Sequence, residues 1–269
     1  MTYSIGDIVT RRSYNSDQYF KIEKIKGDFA ILRSVKTRLM ADAPINDLIK
    51  ITNISLRQLH KELLLESIDY LKRHQRDIIL NGLQMRQNKA EGVYREKVSR
   101  VLHLDGDQDY LKISLQNYNN LQIKARGFYI SEEGQSEKVL ECLKSYKPDI
   151  LVITGHDGIY DGETYHTSNY FVKSVEIARN YENNLDELVI FAGACQSDYE
   201  KLIESGANFA SSPAGKLIHF LDPILIVEKI AFTSIREVVK VKDVVKNTIT
   251  GEGGIGGIET RGKLRLYYP

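Results

Sequence analysis

Tryptophan is absent from these 269 residues, proline occurs five times, and cysteine only twice, at Cys142 and Cys195. Two cysteines cannot make a dense disulfide scaffold, and free thiols are the expectation for a reducing cytosol. Their wide separation also excludes the close C-x-x-C pair of a zinc site built on two thiolates. No stretch approaches the roughly 20 apolar residues of a membrane helix, so no membrane insertion is expected. Neither charge sign dominates. Lys+Arg total 37 against Asp+Glu 36, a formal net charge of +1, and this excludes the broad positive field of a nucleic-acid binder. The opening MTYSIGDIVTRRSY lacks the basic start and apolar centre of a secretory signal, so the chain is expected to stay in the compartment where it is made.

What is present is an ordinary globular balance, 42% hydrophobic and 27% charged, at a length that suits one large domain and a small one. Residues 1–52 carry short β-rich runs, SIGDIVTRRS, YFKIEKIKG, DFAILRSV and TRLMADAP, with alternating apolar positions at Ile8, Phe20, Ile22, Ile25, Ala30 and Leu32. They predict a small SH3-like β-barrel. Residues 53–98 predict a helix capped by Ser55 and running to about Leu80, followed by a polar connector over 81–98. From residue 99 to 269 strands and helices alternate. The strands are VLHLD, IKARGFYI, DILVIT, ELVIFAG and ANFASS, and their near-continuous apolar runs predict a mostly parallel sheet with helices on both faces. The Gly-rich tail GEGGIGGIETRG reads as a flexible hairpin or a rim beside the crevice.

Ligands of an open parallel sheet bind beyond the carboxyl ends of its strands. Two reactive side chains fall at such ends. ILVIT runs into Gly155-His156-Asp157-Gly158, and LVIFAG into Ala194-Cys195-Gln196-Ser197. One helical crossover joins them, so the strands are expected to be neighbours. An imidazole can take a proton from a thiol whose ordinary pKa is near 8.5 and give it to a leaving amine. His156 and Cys195 are therefore the candidate catalytic pair. Gly155 and Gly158, with no Cβ to crowd a carbonyl, are candidates for the oxyanion site. A structural reading competes for each residue, because cysteine is commonly buried packing and histidine in a turn is commonly surface.

These residues resemble the caspase-like (clan CD) peptidases, in which the His precedes the Cys on the adjacent strand. The separation here is 39 residues, shorter than the roughly 50 of caspases, and Gly193-Ala194-Cys195-Gln196-Ser197 departs from the caspase pattern. The closer likeness is to the YabG family of sporulation-specific peptidases. It is carried in order by SIGDIVTRRSY, VLHLDGDQDYL, PDILVITGHDG, FAGACQS and GIGGIETRG. The resemblance implies a caspase-like peptidase domain over 99–269 and a cysteine mechanism at His156 and Cys195. It also implies an enzyme made in the mother-cell cytoplasm that associates with the forespore or spore coat and trims coat and cortex-associated precursor proteins.

Analogy with that clan points to cleavage after arginine. Asp105 or Asp107 at the end of the first strand is the candidate carboxylate anchor, with Asp157 as a further one, since a carboxylate grips a guanidinium through two hydrogen bonds. The competing reading has Asp105 and Asp107 ending a strand and starting a turn. Gly193 would leave room for the long side chain. Arginine specificity would expose Arg86, Arg95 and Arg100 to self-cleavage.

No P-loop follows a strand, and His60, His74, His103, His166 and His219 have no ligand spacing, so neither metal nor cofactor is expected. Two other functions stay open. One is a thiol hydrolase such as a glutamine amidotransferase, although there the His follows the Cys. The other is a non-catalytic α/β binding or coat-scaffold protein.

Overall fold

The structure is a computed structural model that describes residues 2–70, 95–97, 99–160 and 164–267. Its N-terminal part is five strands, β1 (Ile8–Arg11), β2 (Phe20–Lys26), β3 (Phe29–Ser34), β4 (Met40–Pro44) and β5 (Leu48–Lys50). All pair antiparallel in the order β4-β3-β2-β1-β5. Alternation buries Val9, Phe20, Ile22, Ala30, Leu32, Ala43 and Leu48 in one apolar cluster. The expected strands are present, but the expected barrel is not. β4 and β5 remain unpaired edges of an open sheet, because closure needs a hydrogen-bonded seam that these short strands do not supply.

Helix α1 occupies 56–70 among the described residues. Ser55 starts it with a reciprocal cap: its Oγ accepts from Gln58 N at 3.2 Å, and its own N–H donates to Gln58 Oε1 at 2.9 Å. Leu59, Leu63 and Ser67, four residues apart, form its buried stripe. The expected continuation to Leu80 and most of the polar connector, including Arg86, lie outside the described residues. Within that connector, Arg95–Lys97 forms a strand, β6.

Five parallel strands then build the main sheet: β7 (Arg100–Asp105), β8 (Lys124–Tyr129), β9 (Ile150–Thr154), β12 (Val189–Ala192) and β13 (Phe209–Ser211). Two short strands, β10 (Ile159–Tyr160) and β11 (Thr164–Tyr165), form a hairpin after β9. Alternate residues along each strand face opposite clusters, Val101, Val152, Val189 and Phe191 one of them and Leu102, Leu104, Ile153 and Ile190 the other. The first cluster is covered by α2 (Gln108–Asn120) and α6 (Asp222–Phe232), the second by α3 (Glu132–Tyr146), α4 (Ser168–Tyr181) and α5 (Tyr199–Glu204). Burying each large aliphatic or aromatic side chain here contributes about 1.5–3 kcal/mol.

The rest of the chain is β14 (Val238–Val239), α7 (Val241–Asn247), β15 (Ile255–Gly257), β16 (Thr260–Arg261) and β17 (Arg265–Tyr267). β14 pairs with β16, and β17 with β6. The Gly-rich tail is no loose hairpin or rim. β15 adds to β13 as an antiparallel edge, completing the order β15-β13-β12-β9-β7-β8. Glycine is required there, since a Cβ on Gly257 would lie 2.3 Å from Asn208 O. The strand order reverses between β7 and β9, and that reversal opens a crevice at their carboxyl ends.

Candidate active site

β9 and β12 are adjacent and parallel, with Ile153 opposite Ala192. The same offset brings His156 and Cys195 to matched positions just beyond the strand ends, at the edge of the crevice. The turn carrying Cys195 is tightly held. Gly193 has φ +124°, and Gln196 has φ +53°. Ala194 N donates to Ser197 Oγ at 2.8 Å, and Ser211 Oγ donates to Ala194 O at 2.6 Å.

The crevice is filled from above. The segment between β3 and β4 crosses the sheet ends, and its Arg38 is wholly buried. The Arg38 guanidinium makes a two-pronged ion pair with Asp105, Nη1 to Oδ1 at 2.9 Å and Nη2 to Oδ2 at 2.8 Å. Its carbon lies 4.8 Å from the centre of the Tyr110 ring. The Arg38 carbonyl oxygen accepts two backbone N–H groups, from Cys195 at 3.1 Å and from Asp157 at 3.2 Å. Met40 N donates to Asp157 O at 2.9 Å, so residues 38–40 lie beside Asp157 like an added strand. Gly158 permits this approach, because a Cβ there would sit 2.0 Å from Met40 O. The segment is also held by Tyr110 Oη, which donates to Val35 O at 2.9 Å and to Thr37 O at 3.2 Å.

This roof explains why neither member of the pair meets solvent, whereas strand-end residues are expected in an open crevice. His156 and Cys195 are both fully buried. Burial pushes the Cys195 thiol up to about 12, with hydrogen bonding at Ile218 and the nearby Arg38 acting the other way, so the sulfur is a neutral thiol. Its Sγ points to Ile218 O at 3.6 Å. Burial and the charges of Arg33 and Arg38 hold the His156 imidazole well below the usual histidine range, so it too is neutral. Nε2 donates to Ser34 O at 3.2 Å, Nδ1 lies 3.9 Å from Asp107 Oδ2, and the ring stacks on Tyr110 at 5.5 Å.

The other expected site residues divide. Asp105 is fully buried against a guanidinium. Burial would raise its pKa, but Arg38 and His103 outweigh that and hold it far below the carboxylate range. Asp107 caps α2, accepting from Asp109 N and Tyr110 N at 2.8 and 3.0 Å. The Asp157 carboxylate does not face the guanidinium. It gathers the N–H groups of Gly158, His166 and Thr167 and the Ser168 hydroxyl, and its part in the crevice is its own backbone N–H. The Gly158 N–H is committed to that same carboxylate. The space beside Gly193 is occupied by Ser211, Leu202 and Ser197 rather than by an arginine side chain. Gly155 and Gly106 both make room for Glu132, whose Oε1 accepts from His156 N at 2.8 Å and lies 3.6 Å from Arg33 Nη2. Of the arginines expected to be exposed, Arg100 begins β7 with its N–H given to Asp149 at 2.8 Å, and Arg95 begins β6.

Arg38, Arg33, Tyr110 and Glu132 escape sequence reasoning. The one local signal was a glycine after each of two strand ends, Gly106 and Gly155, since an empty Cβ position invites a side chain from elsewhere.

Comparison with known proteins places the chain among peptidases. The sporulation-specific protease YabG of Bacillus subtilis (strain 168) is 41% identical over 291 aligned positions, which cover 100% of this chain and 99% of that protein. No solved structure matches. The profile of the YabG peptidase U57 family matches residues 4–269. A match of that extent, together with the full-length relative, means that the chain belongs to the YabG peptidase family.

Proposed function

We propose that the chain is a cysteine endopeptidase that cleaves after arginine, with Cys195 as nucleophile and His156 as proton carrier. One observation carries this reading. A peptide arginine is held with its side chain on a buried carboxylate and its carbonyl oxygen on the N–H groups of Cys195 and of the residue following His156. Two convergent N–H donors are what a developing oxyanion needs. The role expected of Gly155 and Gly158 therefore passes to the Asp157 and Cys195 backbones.

The Asp105 pair supports arginine over lysine, because both carboxylate oxygens are used by separate nitrogens of the planar fork. A buried ion pair is a poor way to gain stability. Apolar side chains of similar volume are often as stable or more so, while removing one partner costs about 3–5 kcal/mol. Its presence at a switch-point crevice fits recognition better than packing.

In the reaction, Cys195 Sγ adds to the carbonyl carbon and its proton passes to His156. His156 then protonates the departing amine, and water hydrolyses the thioester. Asp107, 3.9 Å from Nδ1, is placed to steady the imidazolium that forms between these steps. The natural substrates on this reading are spore coat and cortex-associated precursor proteins, processed during sporulation by an enzyme made in the mother cell. The arrangement, with the His before the Cys on adjacent parallel strands, is caspase-like, and residues 99–269 form its peptidase domain.

The test is a peptide library read by mass spectrometry with wild type, Cys195→Ala and His156→Ala. Cleavage after arginine by wild type alone supports the assignment. Equal cleavage by either variant rejects it.

A further inference from the structure

The occupant of the crevice is part of the same chain, and we infer that the Arg38–Leu39 peptide bond is a self-processing site which the fold presents to Cys195. This rests on the arginine-directed cysteine mechanism proposed above and adds a first substrate to it. The self-cleavage candidates near Arg95 and Arg100 lie in strands, whose pairing must be undone before a peptidase can bind them. Arg38 lies already bound, between the isolated bridges made by Thr37 and Leu39.

The segment meets each requirement of a substrate at separate points. Its side chain fills the carboxylate pocket at Asp105, and its carbonyl oxygen takes the N–H groups of Cys195 and Asp157. On the far side of the bond, Met40 N is tied to Asp157 O. On the near side, Val35 and Thr37 are tied through their carbonyls to Tyr110, and Thr37 bridges to His219. A loop that only connected β3 to β4 would have no need of a buried charge and a carbonyl carrying two donors from the reactive loops. Tethering removes the translational and rotational cost of bringing the bond to the thiol.

The step balances with water as the sole co-reactant. Cys195 Sγ bonds to the Arg38 carbonyl carbon, and the thiol proton moves to His156. The Arg38–Leu39 C–N bond breaks, and His156 delivers that proton to the Leu39 nitrogen, which becomes a free amine. Water then opens the thioester, leaving a carboxylate on Arg38 and restoring the thiol. The event happens once per chain, because the tethered segment offers one Arg38–Leu39 bond.

Cleavage does not release the N-terminal part. β4 stays paired to β3 through five residue pairs, from Arg33 with Met40 to Phe29 with Pro44. Arg38 would be free to swing out on its cut end, opening the pocket to other chains.

The experiment is intact-mass analysis under denaturing conditions of full-length wild type, Cys195→Ala and Arg38→Gln, beside hydrolysis of an arginine-containing peptide by the same samples. Wild type is expected to convert to fragments 1–38 and 39–269 with a first-order rate independent of dilution, while Cys195→Ala stays whole. Native gel filtration should show no change in size. Arg38→Gln should stay whole at this bond. Should that variant misfold, the wild type and Cys195→Ala comparison decides alone. Peptide hydrolysis through Cys195 with the bond left intact overturns this inference and leaves the peptidase reading standing. Absence of both activities removes the two together. Cutting confined to other bonds, or equal cutting of Cys195→Ala, overturns the self-processing site.

Discussion

Arg38 and Asp105 are 67 residues apart in the chain, one in the segment between β3 and β4 and the other at the end of β7, and meet as a fully buried pair with both carboxylate oxygens engaged, at 2.9 and 2.8 Å. The pair joins the N-terminal sheet to the carboxyl end of β7. Replacing Asp105 by Asn removes the charge and half of the acceptor set. Hydrolysis of arginine peptides should then fall by roughly a hundredfold in kcat/KM, the equivalent of about 3 kcal/mol. Wild-type kinetics in Asp105→Asn would exclude it as the anchor.

Thiol labelling tests the roof. With the sulfur buried and its pKa pushed up to about 12, Cys195 of the native, uncut chain should react slowly with iodoacetamide at neutral pH. Arg38→Gln, which unseats the segment, should speed labelling by roughly tenfold or more. Equal rates in the two proteins, followed by peptide mapping to distinguish Cys142, would show that the segment does not shield the sulfur.

Asp107 has two separable duties, capping α2 and facing His156 Nδ1. Asn caps a helix about as well as Asp, so Asp107→Asn should keep its melting temperature and lose kcat with little change in KM. Asp107→Ala should also lose about 1 kcal/mol of stability. An unchanged kcat in Asp107→Asn would confine the residue to the cap.

Gly158 sits where a Cβ would meet Met40 O at 2.0 Å. Backbone must therefore move in Gly158→Ala, and the segment at 38–40 cannot seat as it does here. A lower melting temperature and slower appearance of fragment 39–269 are expected. Unaltered stability and processing would mean that the 158–40 contact is not needed.

Glu228, in α6, is 2% exposed, and burial pushes its carboxyl up to about 7 from 4.5, with Asn247 and Lys229 acting the other way. The unfolded chain then holds fewer protons than the folded one between these values. Stability should be unaffected by this group below pH 4.5 and should fall as pH rises through about 7, by about 3 kcal/mol in all. Glu228→Gln should flatten the decline in melting temperature expected of wild type between pH 4.5 and about 7. Parallel curves would assign the pH dependence to other groups.

Much of the architecture was legible because it rests on local regularities. The apolar runs ILVIT and LVIFA specify buried parallel strands through continuous hydrophobicity, and chain order then placed His156 and Cys195 at adjacent strand ends. Ser55 announced a helix start, and the leucines behind it gave the helical period; the reciprocal bond to Gln58 came only with the structure. Closure of the N-terminal sheet was not legible, because it depends on whether two edge strands find each other. The Gly-rich tail was not legible as a strand for a related reason: β15 is a strand only because β13 offers it an edge, and its own residues have little intrinsic preference for one.

The amino-acid order by itself determined that His156 and Cys195 follow the ends of adjacent parallel strands, since periodicity and chain connectivity are local properties. Only the tertiary structure decided that Arg38 enters from the segment between β3 and β4, that its carbonyl oxygen rests on the N–H groups of Asp157 and Cys195, and that the thiol is covered. Those facts depend on long-range packing of a loop with no distinctive pattern, where burial and a paired charge, rather than any spacing, fix the outcome.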